Sequence, residues 1–165
     1  MLYQTQRHVF VDMEWTQAES SHGDPISIAV IDGKTGGYHY GRWPVLHTIC
    51  SEWTQAHVIP QLSVDLPSAI ETISFLHELL EDHDEAPYVW VNDQEVLAWI
   101  TQHWGRQPRM WPPHVAEAPR HILWWHTQEW MHAHSSYHAL HDAALMHYQW
   151  QLLYGDTEQV HPDLL

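Results

Sequence analysis

The chain has 165 residues, 44% of them hydrophobic, and a length suited to one globular domain with a core of its own. Acidic residues number 21 against six Lys and Arg, a formal net charge of −15, which excludes a nucleic-acid face built from clustered cations. Cys50 is the only cysteine, so no intramolecular disulfide can form. The opening residues lack a signal-peptide pattern, and no apolar run approaches the ~18 residues of a membrane span. The expectation is a single soluble, cytoplasmic domain over 1–165 with no membrane partner. Seventeen histidines add about 8 positive charges near pH 6.5, where roughly half are protonated. Eleven tryptophans exceed what one core needs, so some are expected at a surface where they can stack.

In chain order, β-branched and aromatic content predicts a strand over 7–13 and a second over 26–32. The Asp32-Gly33 to Gly36-Gly37 turn cluster returns the chain as a third antiparallel strand over 37–43, completing a meander. Residues 51–62 read as a short helix ending near Pro60. A better helix spans 67–82, with Ser68 and Glu71 as a capping box and Ile70, Ile73, Leu76, Leu79 and Leu80 as its apolar stripe. The acidic run 81–85 reads as its solvated end. Tyr88–Val91 reads as a buried strand, and a helix from Asp93 or Gln94 to Trp104 is stopped by Gly105. Four prolines make 107–119 an irregular loop, and helices over 120–133 and 138–154 close the chain. A meander followed by a crossover strand predicts a mixed α/β sheet with helices on its faces.

Three acidic stations carry the candidate chemistry. Asp12 and Glu14 alternate along the first strand, so both carboxylates point to one face and can share a divalent cation; a strand end meeting solvent gives the same pattern. VWVNDQE (89–95) puts two carboxylates where a strand enters a helix, a position that helix capping by Asp93 also explains. His138 and Asp142 stand four apart on the last helix, where an imidazole beside a carboxylate suits metal binding with a general base. With 17 histidines, such a pairing also arises by chance.

The order of these stations resembles the DEDD exonucleases, and within them most closely the RNase AS family of 3′–5′ exoribonucleases. Phage exodeoxyribonuclease VIII-type proteins share the arrangement. The resemblance runs almost end to end, on VDMEW (11–15), ISIAVID (26–32), WTQAHVIPQL (53–62), VWVNDQE (89–95), Trp104-Gly105, WPP (111–113) and HALHDA (138–143). It implies an RNase H-like fold and two Mg²⁺ or Mn²⁺ ions held by carboxylates around the scissile phosphate. Carried over by position, Asp12, Glu14 and Asp142 are metal ligands, and Trp15 stacks on the terminal base. Glu95 occupies the second-motif aspartate position counting on from the strand, whereas counting back from Trp104-Gly105 gives Val96. Tyr137 stands where the family has its histidine base, and His138 stands where a sister branch has a tyrosine. His138 is the preferred base, with Tyr137 beside the substrate.

The implied reaction is hydrolysis of phosphodiester bonds at the 3′ end of short single-stranded nucleic acid, RNA favoured over DNA. The resemblance also allows a homodimer. Arg7, Arg42, Arg106, Arg109 and Arg120 are the cations available to guide one strand, and the WPP loop is a candidate contact. Two further readings stand beside this one. The first is a degenerate exonuclease fold whose acidic surface mimics nucleic acid and docks on a basic protein partner. The second is a zinc or nickel site among His126, His132, His134, His138, His141 and His147.

Overall fold

The computed structural model describes residues 6–17, 23–45, 47–63, 65–81, 86–105, 108–111 and 138–154. β1 (His8–Trp15), β2 (Pro25–Asp32) and β3 (Tyr38–Arg42) form the antiparallel meander. β4 (Tyr88–Val91) pairs parallel to β1, and β5 (Arg109–Met110) parallel to β4, giving the order β3-β2-β1-β4-β5. β1 is central because Val9, Phe10 and Val11 are apolar in succession and covered on both faces.

Alternation along β1 divides the core into two layers. Val9, Val11 and Met13 face α2 (Ala69–Glu81) and α3 (Gln94–Trp104), meeting Leu76, Leu79 and Ile100. Phe10 lies on the other face with Ala29, Ile31 and Trp90, under α4 (Ala139–Tyr154). Ala139, Ala143 and Ala144 are the small residues that let α4 approach the sheet. Asp12 and Glu14 share the parity of Phe10, so they project toward α4.

α4 runs antiparallel to β1. Trp150 meets His8 at 4.6 Å and His147 meets Phe10 at 5.3 Å between ring centroids. Going back eight helical residues from Trp150 to Asp142 covers about 12 Å, and going forward four strand residues from His8 to Asp12 covers about 13 Å. The two rises match, so the last-helix aspartate arrives level with the first-strand carboxylates. At the opposite end of the sheet Arg7 grips Asp32 bidentately (2.9 and 2.8 Å), while Thr35 Oγ1 and the Lys34 N–H donate to the same carboxylate. Burial alone would raise the Asp32 pKa, but these bonds and the Arg7 charge hold it below its ordinary value.

Several elements depart from expectation. β1 runs two residues further, through Glu14 and Trp15, with a register shift between them. The expected helix over 51–62 is α1 (Glu52–His57) followed by a 3-10 turn at Ile59–Gln61, because Pro60 has no N–H with which to continue the helix. Ile70, expected on the apolar stripe of α2, is 69% exposed, and Ala69 and Thr72 are buried instead. β5 lies inside the expected irregular loop: two residues carry no periodicity, and pairing with β4 alone makes them a strand. Trp111, expected in a contact loop, is buried edge-on to Trp90 at 5.3 Å, with its Nε1 donating to Gln149 Oε1 at 2.7 Å. The helix expected over 120–133, residues 82–85 and Pro112-Pro113 lie outside the described residues. Among the described residues no helix is long and apolar enough to cross a membrane.

Gly41 sets how closely α2 lies on β3. A Cβ there would meet Thr72 Oγ1 at 2.5 Å and Ser68 O at 2.7 Å. Gly41→Ala is therefore expected to destabilise the fold by roughly 1–3 kcal/mol, because backbone must move; a urea midpoint equal to wild type would show that the contact yields freely.

Candidate metal centre

Asp12 and Glu14 come from β1, and Asp142 from the first turn of α4. One carboxylate oxygen from each lies within 4.8 Å of the others. Opposite oxygens around Mg²⁺ are about 4.2 Å apart and around Ca²⁺ about 4.6–5.2 Å, so one hard cation can be bridged with little closure. Among the described residues this is the one group of His, Cys, Asp or Glu side chains placed to hold a metal. Of the histidine-rich stretch, His138, His141 and His147 are described and form no such group, while His126, His132 and His134 lie outside the described residues.

The electrostatics are those of a site short of positive charge. Asp12 is 4% exposed, and its pKa is pushed well above the carboxylate range, first by burial and then by Asp142, Glu14 and Asp93. Burial, Asp142 and Asp93 raise Glu14 to about 8. Burial raises Asp142 to about 6, partly offset by a hydrogen bond from the His138 backbone. Among the described residues the one Arg–carboxylate ion pair is Arg7–Asp32, at the far end of the sheet. Clustered carboxylates withdrawn from water and lacking a counter-ion are the chemistry that a divalent cation satisfies.

Polar atoms without partners surround the same niche. Ser27 Oγ, on β2 opposite Glu14, is buried without a hydrogen-bond partner, and so are Tyr40 Oη on β3 and His138 Nδ1. Burial, with the charges of Glu14 and Asp12, raises Tyr40 to about 12 against an opposing contact with the Ser27 hydroxyl, so its own hydroxyl keeps its proton. Ala29 stands between Asp12 and Tyr40 in the register, and its small side chain leaves the space between them. The His138 ring lies 4.8 Å from Tyr40 and stacks on His141 at 4.2 Å. Burial and the neighbouring His141 lower His138 to about 4, leaving its imidazole neutral at pH 7.

The structure thus brings Asp12, Glu14 and Asp142 together, with the His138 backbone bonded to Asp142 and its ring against Tyr40. It treats the other candidates differently. Trp15 packs against the core of the α2–α3 face, away from the carboxylates. Glu95 sits half-buried in the first turn of α3 and is not among the charges acting on Asp12 and Glu14. Val96 is fully buried in that core. Tyr137 lies outside the described residues. From the β4–α3 junction it is Asp93 that acts on both β1 carboxylates, while its side chain also caps α3 through the Glu95 N–H at 2.7 Å. In the sequence Asp93 is one of two junction carboxylates that helix capping also explains, and the resemblance carries the second-motif position to Glu95 instead. The missed signal is that β4 runs parallel to β1, so the residues leaving its carboxyl end emerge beside Asp12 and Glu14. Tyr40 carried no such signal, since nothing in the sequence places it one strand beyond Ala29.

No protein-family model and no curated protein matches the sequence.

Proposed function

We propose that the chain is a metal-dependent 3′–5′ exonuclease with an RNase H-like fold, acting on short single-stranded nucleic acid, RNA in preference to DNA. The observation that carries this reading is the convergence of Asp12, Glu14 and Asp142 within 4.8 Å, with neutral His138 nearby. The strand order and the packing of α4 on the face bearing the carboxylates are compatible with it. Two divalent ions, Mg²⁺ or Mn²⁺, would supply charge neutralisation at the scissile phosphate and a lowered pKa for the attacking water. Asp12, Glu14 and Asp142 would hold them, with Asp93 as the fourth carboxylate. His138 would accept a proton through its free lone pair, and Tyr40 would lend the niche a donor that stays protonated.

The test uses a 5′-labelled single-stranded RNA with Mn²⁺, and the expected result is stepwise shortening from the 3′ end. Asp93→Asn should lower kcat/KM at least tenfold with α3 intact, since asparagine caps a helix about as well as aspartate. Glu95→Gln should stay within about threefold of wild type, because a half-buried neutral isostere leaves the β1 carboxylates untouched. Intact RNA and DNA in both Mg²⁺ and Mn²⁺ would remove the nuclease reading. A larger loss in Glu95→Gln would return the fourth-carboxylate role to Glu95.

A further inference from the structure

β3 brings a cation to the carboxylate end of the sheet. Glu14 pairs with Ser27 across β1–β2, and Ser27 with Arg42 across β2–β3, so the three stand in one row. Directly opposed residues share a face. Gly41 turns its α-carbon substituent toward Thr72 and Ser68 on the α2 side, which puts its neighbour Arg42 on the α4 side with the carboxylates. Two strand spacings separate the Arg42 and Glu14 backbones, about 10 Å. Arg42 is half-buried and forms no ion pair with a described carboxylate. The other arginines are placed otherwise: Arg7 is held by Asp32, Arg109 lies 3.7 Å over the Tyr88 ring, and Arg106 and Arg120 lie outside the described residues. The floor between Glu14 and Arg42 is polar, with the hydroxyls of Ser27 and Tyr40 beneath it.

We propose that Arg42 anchors the penultimate phosphate of the substrate, so that the strand leaves the carboxylates across β2 and β3. This rests on the exonuclease reading, which also fixes which phosphate it is. A 3′-terminal nucleotide has only its own 5′ phosphate, the one to be cut, so a second phosphate within reach must lie on the 5′ side. In a chain of charge −15, a guanidinium free to fork onto a phosphate is the natural counterweight to backbone repulsion.

The probes are two RNA dinucleotides, ApA and its 5′-phosphorylated form pApA, which differ by the proposed anchor group alone. Affinities are measured by calorimetry in Ca²⁺ and cleavage in Mn²⁺. Wild type is expected to prefer pApA about tenfold, the ratio falling to near one in Arg42→Gln and to an intermediate value in Arg42→Lys. No preference in wild type, or a preference that survives in Arg42→Gln, overturns the anchor. Arg42-dependent preference in binding without cleavage refutes the nuclease reading and leaves the anchor standing. Binding of neither dinucleotide removes both.

Discussion

Asp12→Asn is expected to stabilise the metal-free protein and to abolish its response to Mn²⁺. The wild-type carboxyl is 4% exposed and faces Asp142, Glu14 and Asp93, so folding forces it to keep a proton that the unfolded chain has released. Asparagine has nearly the same shape and no charge to lose. The gain should grow as pH rises above about 4 and vanish below about pH 3, where aspartate is protonated in both states. In wild type, Mn²⁺ at about a hundred times its Kd should add roughly 2.7 kcal/mol, a Tm rise on the order of 5–10 °C for a domain of this size. The variant should show almost none of it. Thermal denaturation with EDTA and with Mn²⁺ reads both effects, and an equal Mn²⁺ shift in the two proteins would mean that the cation binds elsewhere.

In EDTA, stability should fall as pH rises from about 7 to 8, and Mn²⁺ should remove that slope. Glu14, raised to about 8, remains largely protonated in the folded chain over this window, while the unfolded chain holds it ionised. The folded state therefore binds more protons, and stability declines with pH, by about 1.4 kcal/mol per pH unit for each proton so held. His138 and His147, both lowered to about 4 mainly by burial, act in the opposite sense. Their contribution rises with pH through the ordinary imidazole pKa near 6.5 and is nearly complete by about 7.5, which leaves the top of the window to the carboxylates. A divalent cation holds those carboxylates ionised in the folded state and cancels the difference. Stability that increases with pH across 7–8 in EDTA would show that the acidic niche is solvated after all.

Much of this site was legible in the chain. The spacing of Asp12 and Glu14 on a strand guarantees a shared face, since strand side chains alternate whatever the surroundings. The Asp93 N-cap and the left-handed Gly105 that ends α3 are local events, fixed by side-chain and backbone preferences within a few residues. Ile70 shows where local pattern fails. Its position fits an apolar stripe, yet the angle at which α2 meets β3, set by Gly41 and Thr72, turns it to solvent. Trp15 and Trp111 fail similarly, because an aromatic ring is equally suited to a core or a contact, and only its neighbours decide which.

By itself the sequence determined the meander, the crossover strand, the last helix and the shared face of the first two carboxylates, because these follow from periods of two and 3.6 residues and from turn chemistry. Tertiary structure alone decided that Asp142 meets Asp12, through the matched rise of α4 and β1 over Phe10 and His8. It also decided that the Asp93 charge reaches them, that Tyr40 lies across Ala29 from Asp12, and that Arg42 stands in line with Glu14. Each of these depends on strand order and helix placement, which are collective outcomes of packing the two faces of the sheet and leave no mark on any short stretch of residues.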